Sequence, residues 1–450
     1  MRHMTLEQAA ACCDGRVAPE YAHVTFCGAN TDSRLIEQGQ LFVAVKAERD
    51  GHDFATDAMQ NGAAAVLGQR PIEGLPVLVA EDSVTALGAI AGAWRDQLSA
   101  KVVGITGSVG KTTTKEMTAA VLGSIYRTSK TEKNFNNKIG LPMTLLDIPE
   151  DAETAVIEMG MNHFGELSYL TSLAKPDIAV ITNIGTMHIE HLGSRQGILK
   201  AKLEILEGLR PGGTVIFNGD EPLLRNADIG QTPIFFGIDT DCDVCAADVQ
   251  YREGGVSFRA VGLGADFTVT LPTEGKHHIY DALAAITVGL VCKVPPQKIA
   301  EALGSFENTG DRQRIFEQDG YTVIADCYNA GPESMQAALQ ILSARPAAGR
   351  RIAVLGDMLE LGMIAQAAHY TLGRQTAAAA DMVFAYGPNS TRVVAGAIDA
   401  GMPEEDARGY DSHASLLADL RRNARKGDIL LFKGSHGMHM EQVMEQFFGE

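Results

Sequence analysis

Short apolar runs alternate along the chain with longer segments whose apolar residues recur at helical spacing. This alternation is typical of α/β folds, in which a mostly parallel sheet is covered by helices. The length favours more than one domain, and we predict three. They are a small α/β domain over residues 1–97, a central doubly wound, mostly parallel sheet with a small antiparallel patch over 98–309, and a Rossmann-like domain over 310–450.

The two larger domains have the clearest strand pattern. Between about 242 and 271, polar and apolar residues alternate around a Gly-Gly turn, which predicts the antiparallel patch. Elsewhere the apolar runs predict parallel strands. These strands are 101–105, 154–158, 178–182, 214–217 and 233–236 in the central domain, and 321–325, 351–355, 382–386 and 428–432 in the C-terminal domain.

Composition narrows the range of partners. The 450 residues carry a formal net charge of −18, whereas binding to nucleic acid or to an anionic membrane needs a basic face. The seven cysteines lack the even spacing of a disulfide framework, and Cys242-x-x-Cys245 has no second pair nearby to complete a zinc site. The sequence shows neither a run of 18 apolar residues nor a signal-peptide pattern. We expect a reduced, cytoplasmic and monomeric protein.

A glycine-rich turn follows the first strand of the central domain. The sequence Thr106-Gly-Ser-Val-Gly-Lys-Thr-Thr-Thr114 leads into a helix predicted to begin at Thr112. At such a junction, backbone N–H groups and the helix dipole bind phosphate, while Lys111 meets the β- and γ-phosphates and the Thr112 hydroxyl binds Mg²⁺. The strict GxxxxGK[ST] pattern is not met, because Ile105 replaces its first glycine. The alternative is a glycine turn before an ordinary helix. The predicted nucleotide-binding residues here are Gly107, Ser108, Val109, Gly110, Lys111, Thr112 and Thr113.

Polar residues follow the neighbouring strands, at the edge where ligands of open α/β sheets bind. Glu158 ends one strand and is predicted to hold Mg²⁺, although an acid there can also be structural. His188 follows the next strand, where the alternative is a histidine that is only hydrogen-bonded. The cluster Asn134-Phe-Asn-Asn137 supplies neutral donors for phosphate, sugar or carboxylate oxygens, and is otherwise a turn.

The C-terminal domain adds further candidates. Asp311-Arg312-Gln-Arg314 precedes its first strand, and an arginine across a domain cleft stabilises charge on a transferring phosphoryl group. Asp326 ends that strand, where an acid can bind a ribose diol. Gly356-Asp-Met-Leu-Glu-Leu-Gly362 and Lys433-Gly-Ser-His-Gly437 follow two other strands at the same edge. Helical spacing alone does not single out Lys202.

In their order and spacing, these segments resemble the Mur ligases, a family that forms amide bonds with ATP during cell-wall assembly. The resemblance extends along the whole chain. Its motifs are Thr31-Asp-Ser-Arg34, Asp50-Gly-His52, the glycine-rich turn, Asn134-Phe-Asn-Asn137, Glu158-Met-Gly160, Asn183-Ile-Gly185 with His188, Ala201-Lys-Leu-Glu204, Asp326-Cys-Tyr-Asn-Ala330, Gly356-Asp-Met-Leu-Glu-Leu-Gly362 and Lys433-Gly-Ser435.

The resemblance implies that ATP and two Mg²⁺ ions are bound. Lys202 corresponds to a lysine that the family carries as a carbamate, an anion able to ligate a second Mg²⁺. His278 and Asp281 replace two asparagines of the family pattern GxHNxxNxxAA, so the adenine contacts are expected to differ. The resemblance assigns Lys111, Glu158, His188, Lys202 and Arg312 to catalysis, Thr112, Glu158, His188 and Lys202 to metal binding, and His278, Asp281, Arg312, Asp326 and Asn329, with the glycine-rich turn, to ATP.

For substrates, the resemblance implies UDP-N-acetylmuramoyl-tripeptide and D-alanyl-D-alanine. The segments 326–330 and 356–362 favour the branch of the family that adds this dipeptide. The reaction would pass through an acyl phosphate and release ADP and phosphate. The alternatives are a ligase of the same family that adds a single amino acid, and a nucleotide-binding sensor of cell-wall precursors that does not ligate. The predicted substrate-binding residues are Ser33, Arg34, His52, Asn134, Asn136, Asn137 and Lys433.

Overall fold

The computed structural model of this protein describes residues 4–252, 254–307 and 313–449. Within these residues, three main sheets of five, nine and six strands follow one another along the chain. Helices connect the mostly parallel strands, which confirms the predicted α/β class. No helix in the described ranges is long and apolar enough to cross a membrane.

The N-terminal segment is a small sheet with helices packed on it. Its strands are β1 (Met4–Thr5), β2 (Arg16–Val17), β3 (Thr25–Phe26), β4 (Ala29–Asn30), β5 (Leu41–Val43), β6 (Ala65–Gly68) and β7 (Val77–Val79), and its helices are α1 (Leu6–Cys12), α2 (Ala55–Gln60) and α3 (Ser83–Gln97). The main sheet has the order β2-β7-β6-β5-β4, and β1 pairs with β3. Leu41 and Phe42 of β5 enter two different hydrophobic clusters, so this strand is buried on both faces.

The central segment is a large sheet with the predicted antiparallel patch at one edge. Its strands are β8 (Lys101–Thr106), β9 (Thr128–Lys130), β10 (Thr154–Glu158), β11 (Ile178–Ile181), β12 (Thr214–Asn218), β13 (Ile234–Gly237), β14 (Val244–Arg252), β15 (Gly255–Gly262) and β16 (Ala265–Leu271). Its helices are α4 (Lys111–Gly123), α5 (Gly140–Leu146), α6 (Glu166–Ala174), α7 (Ile189–Leu192), α8 (Arg195–Leu203), α9 (Pro222–Arg225), α10 (Lys276–Val291) and α11 (Pro296–Gly304). The strand order is β16-β15-β14-β13-β12-β11-β8-β10-β9, and only the pairs β14–β15 and β15–β16 of the described sheet are antiparallel.

The register of three neighbouring strands determines where the functional side chains meet. β8 lies between β10 and β11, with Ile105 opposite both Glu158 and Val180. Because parallel strands end at the same edge of a sheet, the loop after β8, the Glu158 carboxylate and the segment after β11 converge. This edge is where open α/β sheets bind ligands.

Helix α3 connects the N-terminal and central sheets through buried polar contacts. The indole N–H of Trp94 donates to the Ile148 carbonyl at 3.2 Å, and the buried Arg95 donates to the Ala174 carbonyl at 2.8 Å. Apolar residues of both segments belong to one hydrophobic cluster. The two segments therefore share a continuous core.

The C-terminal segment is a second α/β sheet with its own core on both faces. Its strands are β17 (Arg314–Gln318), β18 (Tyr321–Asp326), β19 (Arg351–Gly356), β20 (Met382–Tyr386), β21 (Ala407–Tyr410) and β22 (Ile429–Lys433), and its helices are α12 (Pro332–Ala344), α13 (Ala365–Ala379), α14 (Ser390–Asp399), α15 (His413–Asn423) and α16 (Met440–Phe448). The order is β17-β18-β22-β19-β20-β21, with β17 antiparallel to β18 and the others parallel. The four predicted strands correspond to β18, β19, β20 and β22, whereas β17 and β21 were not predicted.

Candidate active site

A cavity of about 1040 Å³ lies at the edge of the central sheet where the loop after β8, Glu158 and the segment after β11 converge. The C-terminal sheet closes its other side. Most of the predicted residues line it: Ser108, Val109, Gly110, Lys111, Thr112, Thr113, Asn136, Asn137, Glu158, His188, His278, Asp281, Asp326, Asn329 and Lys433. Of the other predicted residues, Arg312 lies outside the described residues, and the rest are not part of the lining, namely Ser33, Arg34, His52, Gly107, Asn134 and Lys202.

Two glycines allow the loop after β8 to turn tightly against its neighbours. Gly107 has φ 156° and Gly110 has φ 81°, and α4 begins directly after Gly110. A Cβ at Gly107 would come within 1.8 Å of the Thr182 hydroxyl oxygen, and one at Gly110 within 2.4 Å of Asp281 Oδ1. Only glycine fits these two positions, so the loop can lie close to Thr182 and Asp281 and lead directly into the helix N-terminus, where a phosphate would bind.

Asn183 holds the glycine-rich loop in place. Its Oδ1 atom accepts hydrogen bonds from the backbone N–H groups of Ser108 at 3.1 Å and Val109 at 3.0 Å, and its Nδ2 donates to the Val109 carbonyl at 3.1 Å. Lys111 Nζ lies in the same loop and donates to the Gly107 carbonyl at 2.8 Å. Asn183 belongs to one of the family-like motifs but was not predicted as a site residue. Its position directly after β11, at the ligand-binding edge of the sheet, could have identified it.

Glu158 is a buried carboxylate that points into the site. It is 1% exposed, and its two oxygens accept from the Thr112 hydroxyl and from Asn136 Nδ2, each at 2.7 Å. No described basic side chain forms an ion pair with it. Because burying a carboxylate without a counter-charge is costly, a cation beside Glu158 would stabilise the site.

This donor set fits magnesium. A carboxylate and a hydroxyl are hard oxygen ligands, and Mg²⁺ completes its shell with waters and substrate phosphates rather than with a full cage of side chains. Accordingly, the described residues contain no group of three or more His, Cys, Asp and Glu side chains able to hold a metal ion alone. The protein side of such a site would be Thr112 and Glu158, with His188 on the same cavity wall.

His188 is in contact with the C-terminal sheet. Its Nδ1 lies 2.5 Å from Glu360 Oε2, in the loop that follows β19. The hydrogen bond from His188 lowers the pKa of the Glu360 carboxyl below its usual value. A second contact nearby joins the same two sheets, since the Thr186 hydroxyl donates to Glu333 at 3.1 Å. Glu360 belongs to the motif Gly356–Gly362, but no pattern in the sequence indicated that it would contact His188.

Lys202 lies on α8 and is 2% exposed. It forms no hydrogen bond or ion pair with a described residue. Burial, and then the neighbouring charge of Lys111, lower the pKa of Lys202 well below its usual value. The side chain is therefore a lysine that burial drives towards the neutral amine.

His278 and Asp281, which replace two asparagines of the family pattern, connect three parts of the site. Asp281 Oδ1 accepts from the Thr114 hydroxyl of α4 at 2.9 Å. His278 Nε2 lies 2.7 Å from Gln313 Oε1, and its Nδ1 lies 3.6 Å from Asp281 Oδ2. His277 Nε2 is 2.8 Å from the same Gln313 oxygen. Sequence reasoning missed Gln313, because its partners are far away in the chain.

Asp326 and Lys433, predicted to contact different ligands, form a buried ion pair. Lys433 Nζ lies 2.6 Å from Asp326 Oδ2 and donates to the Asn329 carbonyl at 2.9 Å. They end β18 and β22, which are paired neighbours with Asp326 opposite Lys433. The C-terminal sheet thus presents a compensated pair of charges to the cavity.

The N-terminal candidates lie outside this cavity. Arg34 is 84% exposed at its side chain and pairs with Asp32 at 2.6 Å, and the Arg34 hydrogen bonds hold the pKa of Asp32 at about 2. His52 is buried, with Nδ1 2.6 Å from Asp50 and Nε2 accepting from the Gln69 backbone at 2.8 Å, so both ring nitrogens are engaged. The third N-terminal candidate, Ser33, is buried. Asn134 of the central segment is exposed and also lies outside the cavity.

Three family models match the chain in succession. They are the Mur ligase family, catalytic domain, over residues 23–95, the Mur ligase middle domain over 105–289, and the Mur ligase, glutamate ligase domain over 311–436. The chain belongs to the Mur ligase family.

Within that family, the chain is similar along its whole length to UDP-N-acetylmuramoyl-tripeptide–D-alanyl-D-alanine ligases. It is 42% identical to the Bacillus subtilis enzyme over 98% of this chain and 97% of that one, and 35% identical to the Escherichia coli enzyme over 99% and 98%. A crystal structure of MurF from Acinetobacter baumannii matches with a TM-score of 0.90 at 30% identity, covering 100% of both chains. MurF from Thermotoga maritima in complex with ADP matches with a TM-score of 0.80 at 30% identity, covering 94% of this chain and 97% of that one.

Proposed function

We propose that this protein joins D-alanyl-D-alanine to UDP-N-acetylmuramoyl-tripeptide and converts ATP to ADP and phosphate, a step of peptidoglycan synthesis. The observation that carries the proposal is the shared cavity. A phosphate-binding loop and a buried acid of the central sheet face Asp326 and Lys433 of the C-terminal sheet across one space. Such a cavity can hold a nucleotide between two sheets with the acceptor beside its last phosphate.

The proposed reaction first converts an unreactive carboxylate into an acyl phosphate, which an amine can attack. A peptide carboxylate is ionised at neutral pH and is a poor electrophile. In the first step, one of its oxygens attacks the γ-phosphorus of ATP, the bond to the bridging oxygen breaks, and ADP leaves with an acyl phosphate formed. In the second step, the amine of the dipeptide attacks the acyl carbon, the nitrogen loses a proton, and the carbon–oxygen bond breaks to release phosphate.

The loop after β8 supplies the phosphate contacts. We assign the glycine-rich turn from Gly107 to Gly110 and the Lys111 ammonium to the ATP phosphates, where preorganised donors stabilise developing charge. Asn183 would keep the N–H groups of Ser108 and Val109 and hold the turn in shape. Bound Mg²⁺ would neutralise phosphate charge, and Thr112, Glu158 and His188 are the residues that would hold it. Arg312 is assigned to the γ-phosphate by family resemblance.

Lys202 is assigned to a second metal ion in its carbamylated form. The neutral amine adds to CO₂ and loses a proton, so a buried neutral group becomes an anion. The burial of Lys202 and its lowered pKa support this assignment, because only the unprotonated amine reacts.

The remaining assignments concern ATP and the two substrates. We assign His278, Asp281, Asp326 and Asn329 to the nucleoside end of ATP, and Asn134, Asn136, Asn137 and Lys433 to the muramoyl-peptide and dipeptide side. Ser33, Arg34 and His52 are assigned to the UDP-sugar, and His52 would act by fixing the loop between Asp50 and Gln69.

We propose that each of the three domains binds a different ligand. Residues 1–97 would bind the UDP-sugar, residues 98–309 would bind ATP, and residues 310–450 would close over ATP and bind the dipeptide. Closure would exclude water, which otherwise hydrolyses the acyl phosphate. The protein would act as a monomer in the cytoplasm, where ATP and the nucleotide-activated sugar are available.

Phosphate release in the presence of UDP-N-acetylmuramoyl-tripeptide tests the proposal. Release should require ATP and D-alanyl-D-alanine together, and mass spectrometry should find the pentapeptide product. Release only with single amino acids would instead identify a ligase of the other branches. Nucleotide binding without any release would identify a sensor.

A further inference from the structure

A glutamate of the C-terminal sheet meets the histidine assigned to the metal site of the central sheet. Glu360 Oε2 lies 2.5 Å from His188 Nδ1, and the two residues are 172 positions apart in the sequence. Glu360 belongs to the Gly356–Gly362 motif, for which the reaction described above provides no role. The contact gives this motif a partner in the active site.

The contact determines which ring nitrogen of His188 carries a proton. A carboxylate accepts hydrogen bonds, so Nδ1 is the donor to Glu360. In the neutral ring, a proton on Nδ1 leaves a lone pair on Nε2. None of the described residues forms a hydrogen bond with Nε2. His188 lines the same cavity as Glu158 and Thr112, so a ligand with an available lone pair lies on the wall of the metal site.

We propose that Glu360 is a positioning residue for the metal site, because its bond to Nδ1 sets the tautomer and ring orientation in which His188 Nε2 binds a divalent cation. Metal-binding histidines commonly donate their other N–H to a carboxylate or carbonyl in this way. Since Glu360 comes from the C-terminal sheet, docking of that sheet orients a ligand of the central one. The inference rests on the proposed function for the nucleotide that shares the metal.

The backbone around the contact supports a specific role. His188 has φ 63° and Glu360 has φ 60°, the left-handed region that histidine tolerates but that is uncommon for glutamate. Such conformations persist where the surrounding structure enforces them, often at functional sites. The two loops also approach closely at a second point, because the Glu190 N–H donates to the Glu360 carbonyl at 3.4 Å.

The competing explanation is that Glu360 only holds the two sheets together. The structure offers a variant that separates the two roles. Glu333 also joins the sheets, through the Thr186 hydroxyl at 3.1 Å, and forms no hydrogen bond with the His188 ring. A second histidine–glutamate pair, His439 and Glu441 at 3.2 Å, lies outside the cavity and serves as a matched control.

Nitrogen NMR of ¹⁵N-histidine-labelled full-length protein tests the tautomer without metal, and His188→Gln assigns the signal. The neutral wild-type ring should be protonated at Nδ1 and not at Nε2, and Glu360→Ala should remove this preference.

Electron paramagnetic resonance with Mn²⁺ and ADP then measures metal affinity. Glu360→Ala should weaken Mn²⁺ binding by about 10- to 100-fold. Glu360→Gln, whose amide oxygen can accept from Nδ1, should recover much of that loss, while Glu333→Ala and Glu441→Ala should bind like wild type.

Several results would overturn the proposal. A neutral wild-type ring that carries its proton on Nε2, unchanged Mn²⁺ affinity in Glu360→Ala, or an equal loss in Glu333→Ala would each leave Glu360 as a docking contact only. Circular dichroism on each variant ensures that the comparison is between folded proteins. Phosphate release by the wild-type protein is measured in parallel. If it fails while the tautomer and Mn²⁺ results hold, the proposed function is wrong and the role of Glu360 stands.

Discussion

The buried ion pair between Asp326 and Lys433 allows a quantitative prediction. The two charges lie 2.6 Å apart, and the Lys433 and Asp326 side chains are 2% and 10% exposed. Lys433→Met keeps an apolar chain of similar length but leaves the carboxylate buried without its cation. Breaking a buried pair in this way costs about 3–5 kcal/mol. At about 2–4 °C for each kcal/mol in a domain of roughly 150 residues or more, Tm should fall by roughly 10 °C.

Thermal unfolding followed by circular dichroism measures this shift without reference to catalysis. Asp326→Asn combined with Lys433→Met should be less destabilising than the sum of the two single changes, because no unpaired charge remains. Lys298→Ala is the control, since it removes an exposed pair with Glu301 at 2.8 Å, both side chains being 50% exposed. That change should cost less than about 1 kcal/mol. If Lys433→Met lowered Tm no more than Lys298→Ala, or if the double variant were additive, the pair would not be energetically coupled as described.

Further predictions concern the loop and the metal site. Lys111→Ala should lower phosphate release on the order of 10³-fold with the fold retained, because a charge at the transferring phosphate is lost; near-normal turnover would refute the assignment. Gly110→Ala should weaken ADP binding, measured by calorimetry, by about tenfold or more, since φ is 81° and a Cβ would lie 2.4 Å from Asp281 Oδ1. Gly123→Ala, at the far end of the helix that Gly110 precedes and with no atom within 4 Å of its Cβ, should bind ADP normally. Depletion of CO₂ should lower turnover and bicarbonate should restore it, whereas Lys202→Ala should lose on the order of 10²-fold and not respond. A wild-type rate that is independent of CO₂ would exclude the carbamate.

The strands that could be predicted from the sequence are those buried on both faces, because such strands consist of uninterrupted apolar residues. β10 (Thr154–Glu158) and β19 (Arg351–Gly356) are covered on both faces, so their sequences are continuous apolar runs. β21 (Ala407–Tyr410) was missed because it is an edge strand of four residues, of which only Ala407 is buried. β17 (Arg314–Gln318), also at an edge, has only half-buried or exposed side chains, and its two apolar residues, Ile315 and Phe316, are too few to predict a strand.

Site residues could likewise be predicted only where neighbouring strands of one sheet position them. Glu158 could be placed because strand register alone brings the end of β10 beside the loop after β8. Glu360 and Gln313 could not, because each acts through a partner on another segment, His188 and His278 respectively. Spacing within one element says nothing about which surfaces of two sheets will face each other.

In the proposed reaction, the protein activates a carboxylate as an acyl phosphate. The most direct measurement uses UDP-N-acetylmuramoyl-tripeptide labelled with ¹⁸O in its terminal carboxylate, with ATP and D-alanyl-D-alanine. The mechanism predicts that one ¹⁸O atom per turnover moves into the released phosphate, because the carboxylate oxygen that attacks phosphorus leaves with it when the amide forms. Phosphate without ¹⁸O, together with formation of the pentapeptide, would contradict the account.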